Sequence, residues 1–69
     1  MRAIDYLQKY VLVRNLYVQD KVLERYVSAV SESGNYMKLE WKGYDNGKEI
    51  HQSEWIPFEL FQKAFIEVI

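Results

Sequence analysis

His51 and Ser53 stand two residues apart with Glu54 beside them, the one place in the chain where a base, a hydroxyl and a carboxylate crowd together. A β-strand would set His51 and Ser53 side by side on one face. Acyl transfer, however, needs the base oriented by a third group and a set of oxyanion donors, and neither can be read nearby. The expectation is a polar strand surface. Asp45-Asn46-Gly47 with Glu49 looks like half a calcium loop, but the twelve-residue ligand pattern is missing, so a hairpin turn is expected. One histidine and no cysteine argue against zinc. The three glycines lie at separate places, so no phosphate-cradling loop forms. The sequence reads as non-enzymatic, with no metal and no cofactor.

The remaining candidates are aromatic. Trp41-Lys42-Gly43-Tyr44 is followed by Trp55-Ile56-Pro57, and Tyr26 lies upstream, in a chain that is 16% aromatic. A 69-residue chain is close to the lower limit for one hydrophobic core, and without cysteine no disulfide can help it. Such a core has trouble enclosing two tryptophans, six tyrosines and three phenylalanines, each burying on the order of 150–250 Å². Some are expected at a binding face or an oligomer interface. Tyr44, Trp55, Trp41, Tyr26 and Pro57 are the candidate partner-binding residues. Trp41 alternates with Met37 and Leu39, so core and ligand roles both stay open for it.

Charge narrows the partner. Nine basic and ten acidic residues give a net charge of −1, and Lys38, Lys42 and Lys48 are interleaved with Glu40, Asp45 and Glu49. That pattern is a solvated mixed-charge face and argues against the basic excess that duplex binding requires. No apolar run approaches the ~20 residues needed to span a bilayer. The N-terminus carries charges where a signal peptide needs its apolar stretch. A cytoplasmic protein that does not enter a membrane is expected.

The elements that would position these residues are short. No repeat or Pro/Gly/Ser linker interrupts residues 1–69, which reads as a single domain. Ile4, Leu7 and Val11 suit one or two turns of amphipathic helix. Val11 to Val18 reads as a strand, although the helix could run on. Val22 to Ser31 reads as a second, with Val22, Tyr26 and Val30 on one face and Leu23, Val27 and Ala29 on the other. After the Ser31–Asn35 turn cluster, Tyr36 to Gly43 alternates cleanly, placing Met37, Leu39 and Trp41 opposite Tyr36, Lys38, Glu40 and Lys42. Asn46-Gly47 favours a type I′ hairpin, and Lys48 to Ile56 returns. Pro57 ends that strand or marks an edge. Phe58, Phe61, Phe65 and Val68 follow at helical spacing, while residues 65–69 could equally form a closing strand. Short strands separated by turns predict a mainly β fold, a small bent barrel of about five strands.

Tyr36-Met-Lys-Leu-Glu-Trp41-Lys-Gly-Tyr44 with Trp55-Ile-Pro57 resembles the core of a chromodomain, and Glu24-Arg-Tyr26-Val27 resembles that family's first cage strand. The resemblance implies an aromatic cage of Tyr26, Trp41 and Tyr44 for a methylated lysine. It departs from the family at Ile56, where a glutamate is usual. Leu16-Tyr17-Val18-Gln19-Asp20 and Trp55-Ile56-Pro57 are similar to SH3-like barrels, which implies a helical turn after Pro57 and a final closing strand. Val30-Ser-Glu-Ser-Gly-Asn-Tyr36-Met-Lys-Leu39 is also similar to short prokaryotic or phage proteins of that fold. The functional expectation is a protein- or peptide-binding module acting through an exposed aromatic patch, with β-augmentation at a strand edge as a second route. The alternatives are a small nucleic-acid-binding barrel and a structural subunit or homodimer that buries its aromatics against a second copy.

Overall fold

Asn46 and Gly47 adopt φ values of 51° and 79°, the left-handed pair that a type I′ turn demands and that asparagine and glycine tolerate best. That turn organises the longest hairpin in the computed structural model, which describes residues 1–18 and 20–69. Its arms, Tyr36–Asp45 and Lys48–Pro57, pair in an unbroken register from Tyr36↔Pro57 to Asp45↔Lys48. A 3₁₀ turn at Ala3–Tyr6 precedes β1 (Tyr10–Arg14) and β2 (Val22–Val30). The hairpin supplies β3 and β4, and a seven-residue helix α1 (Phe58–Ala64) leads to β5 (Phe65–Val68). Of the two alternatives for the C-terminal segment the closing strand is found: the helix ends at Ala64 and does not run on through Phe65 and Val68, which lie in β5.

The five strands form one antiparallel sheet in the order β4-β3-β2-β1-β5. Among the described residues β4 and β5 do not pair with each other, so hydrogen bonding does not close the sheet. One face, called inner here, carries Val11, Val13, Val27, Met37 and Leu39, all buried. Tyr6 from the 3₁₀ turn and Phe61 and Ala64 from α1 cover it. Phe61 sits within an aromatic cluster, its ring centroid 4.9 Å from Tyr6, 5.5 Å from Phe65 and 6.1 Å from Phe58.

Three local readings are corrected. The strand expected over Val11–Val18 stops at Arg14. The Asn15 carboxamide oxygen accepts from the backbone N–H of Tyr17 (2.8 Å) and Val18 (3.2 Å), and this side-chain turn competes with the ladder; Gln19 lies outside the described residues. The amphipathic N-terminal turn buries Ala3 and Tyr6, leaving Ile4 half exposed. A single 3₁₀ turn eclipses residues three apart, and Gln8 in the left-handed region (φ 61°) reverses the chain before Val11. The faces of β2 also exchange partway along. A bulge between Val27 and Ala29 pairs Ala29 with Lys38 and Val30 with Met37. Val30 therefore joins Val27 on the inner face, and Ala29 turns outward with Tyr26.

Leu39 is 3% exposed at the centre of the inner face. Leu39→Ala is expected to cost ~2–5 kcal/mol in urea unfolding. That is comparable with a total stability on the order of 5 kcal/mol, so an unshifted midpoint would remove Leu39 from the core. Ser28, the extra residue of the bulge, buries a hydroxyl with no hydrogen-bond partner among the described residues. An unsatisfied buried hydroxyl is destabilising, so Ser28→Ala is expected to raise stability by about 1 kcal/mol. A lowered urea midpoint would show that the hydroxyl is satisfied.

Candidate functional site

The β3–β4 hairpin reaches beyond the core. Past Leu39 the inner face of β3 continues with Trp41 opposite Gln52 and Gly43 opposite Ile50. β2 pairs with β3 only as far as Tyr26↔Glu40, so residues 22–25 and 41–45 part company. Trp41 stands at that fork, half-buried, with its indole N–H donating to Gln52 Oε1 at 2.7 Å. Arg25, on β2 and directed to the inner face opposite Val11, lies over it with the guanidinium carbon 4.0 Å from the ring centroid. This is close enough for a cation–π attraction. Arg25 Nη1 also donates to the Glu24 carbonyl at 2.9 Å. Burial pushes the Arg25 pKa below its usual value, opposed in part by the negative charge of Glu54.

Two depressions meet at this pair. On the outer side of the fork lies a cleft of about 420 Å³ that includes Tyr10, Tyr26, Glu40, Lys42 and His51. On the inner side is a groove of about 280 Å³, floored by Leu23, Leu39, Ile56 and Leu60 and walled by Tyr17 and Trp41, with Arg14, Arg25 and Glu54 supplying its charges. The Asn15-anchored turn forms its rim and leaves Leu16, Tyr17 and Val18 exposed, Tyr17 at 95%.

The five expected aromatic-patch residues separate into three places. Trp55 and Pro57 share the outer face with Tyr36, the cross-strand partner of Pro57. Tyr26 and Trp41 both line the cleft at the fork, where Tyr10 packs on Tyr26 with ring centroids 4.8 Å apart. Tyr44, 77% exposed, stands alone near the hairpin tip opposite Glu49. Glu49 and Trp55 are six residues apart on β4, or ~20 Å at 3.3 Å per residue, so Tyr44 and Trp55 do not form one patch. Nor do Tyr26, Trp41 and Tyr44 enclose a common cage. Register turns Trp41 to the inner face, Tyr44 is absent from the cleft lining, and Arg25 already lies on the indole.

His51 and Ser53 lie exposed on the outer face, opposite Lys42 and Glu40, while Glu54 alternates to the inner face opposite Leu39. The three groups do not converge. Among the described residues no group of three or more His, Asp or Glu side chains could hold a metal ion, and no helix is long and apolar enough to cross a membrane. Sequence reasoning missed Tyr17 and Arg25. Asn15, a strong side-chain competitor for backbone N–H groups, was the available signal for Tyr17. No family model, curated protein or solved structure matches the chain.

The two tryptophans have different surroundings. Trp55 is 53% exposed, and Trp41 is half-buried and hydrogen-bonded. Trp55→Phe, which leaves Trp41 as the only indole, is expected to give bluer emission with weaker acrylamide quenching than Trp41→Phe. The reverse order would place Trp41 outside the fork.

Proposed function

We propose that this chain is a non-enzymatic peptide-binding module built on an SH3-like curved sheet. The strand order β4-β3-β2-β1-β5 and the short helix between β4 and β5 support that fold. The observation that carries the functional reading is the inner groove. Its apolar floor ends against an exposed tyrosine and a half-buried tryptophan, the residue types that dominate interface hot spots, and a side-chain turn holds the Tyr17 rim in place before any ligand arrives. Pre-ordering of that kind lowers the entropic cost of association. Mixed charge along the hairpin speaks against a polyanion. Lys42 pairs with Glu49 at 3.3 Å across the outer face, leaving no continuous basic track there.

Tyr17 makes the sharpest test because it is almost fully exposed and its loss leaves the core untouched. Peptides selected from a display library against the whole chain are expected to shift the amide signals of Tyr17, Leu23 and Trp41. Tyr17→Ala is expected to weaken them about tenfold, or ~1.4 kcal/mol, without altering the melting temperature. Selected peptides that shift only Tyr36 and Trp55 would move the site to the outer face. Binding to single-stranded DNA that collapses as salt rises would favour the nucleic-acid alternative.

A further inference from the structure

Arg25 is a cation with unused capacity. A guanidinium carries five N–H donors in one plane, and the hydrogen bond to the Glu24 carbonyl is the one that Arg25 donates among the described residues. The single ion pair among those residues joins Lys42 to Glu49, so no carboxylate lies within 4.0 Å of Arg25. Glu54 reaches it only as a field across the groove. The guanidinium carbon lies 4.0 Å from the centroid of the Trp41 indole, and beyond the bond to the Glu24 carbonyl the guanidinium N–H groups have no acceptor among the described residues, which leaves them available for a second partner. Arginine serves stacking and bidentate pairing at once because the two use different surfaces of the ion. Around this guanidinium the groove sets Arg25 against Glu54 beside an apolar floor, while Arg14 lines it from the end of β1, where alternation from the buried Val13 turns its side chain toward the outer face. Its volume of about 280 Å³ lies at the lower end of the range for ligand sites, enough to admit a bulky side chain.

We infer that the groove takes an extended acidic peptide, with a carboxylate accepting from the guanidinium N–H groups of Arg25 and a neighbouring aliphatic side chain entering among Leu23, Leu39, Ile56 and Leu60. The inference rests on the peptide-binding reading and adds the ligand's chemistry. In an extended chain, residues two apart project on the same side. A Leu-x-Asp or Asp-x-Leu spacing therefore presents both groups to one surface. A carboxylate suits the site better than a polyphosphate, because Glu54 lies in the groove and Glu24 and Glu40 line the adjoining cleft.

The test titrates the isotope-labelled full chain with short acetylated peptides of Gly/Ser background. Each carries Leu and, two residues away, Asp, Asn, Lys or phosphoserine, and binding is read from the Trp41 indole N–H signal. The Asp peptides are expected to bind, with Asn weakening them about tenfold. Arg25→Gln is expected to erase the difference between Asp and Asn, and its amide spectrum reports whether it folds. Glu54→Gln, a second and independent variant, is expected to tighten the Asp peptides about threefold by removing a competing carboxylate. Equal binding of Asp and Asn peptides at the groove would overturn the inference and leave the peptide-binding reading standing. Preference for Lys or for phosphoserine alone would also overturn it. Binding that moves only outer-face signals, or no binding by any peptide in the set, would overturn the groove assignment as well.

Discussion

Phe61 is fully buried, with Tyr6, Phe58 and Phe65 around it, and through this ring three short elements become one structure. A seven-residue helix does not hold itself together in water, nor does a single 3₁₀ turn. Phe61 and Ala64 fix α1 on the inner face, the edge-on contact with Tyr6 fixes the N-terminal turn, and Phe65 starts β5 beside β1. Complete burial of such a ring contributes about 1.5–3 kcal/mol, a large share of the total in a domain this small. The chain has no cysteine with which to replace it.

Concentrating the core around Phe61 determines where it runs out. Buried side chains on β3 end at Leu39, yet the strand continues to Asp45. Trp41 occupies the border, packed against the core on one side and met by Gln52 and Arg25. Arg25 lies in the same border zone, where loss of water disfavours its charge, the field of Glu54 offsets this only in part, and no ion pair with it forms among the described residues. Well-packed folds seldom leave a half-buried cation uncompensated. Local inconsistency of this kind tends to mark places where function, rather than folding, has chosen the residue.

What the sequence disclosed depended on how local the determinant was. Asn46-Gly47 sets its turn from two residues, and the alternation of Met37 and Leu39 with Lys38 and Glu40 sets the face of β3, so both were legible. The expectation of a barrel of about five strands is met in the strands but not in the closure, since hydrogen bonding leaves the single sheet open among the described residues. Ser28 was opaque, because a small residue fits either face and the bulge it creates depends on pairing with β3. Leu16-Tyr17-Val18 read as strand by side-chain type, whereas the conformation is governed by the Asn15 carboxamide. For the site, residue type pointed to Trp41 and Tyr26, but type cannot show that β2 and β3 diverge between them. Arg25 carries no signal in the sequence, since its meaning comes wholly from the ring beneath it.

Two approaches are open to a partner strand, along the edge of β4 or across the inner face, and the side chains weigh them differently. β4 is a ten-residue edge strand, long enough to recruit another chain. Lys48, Glu49 and Glu54 are spread along it, and charges on an edge strand are the usual protection against such pairing. A strand arriving there would have to accommodate each charge for the sake of backbone hydrogen bonds that water already supplies. The inner groove imposes no comparable cost. Its apolar floor gains from losing water, and Arg25 has already lost part of its hydration and gains a partner for what remains. Desolvation works against association at the edge and in favour of it at the groove, and this difference directs a peptide across the face of the sheet.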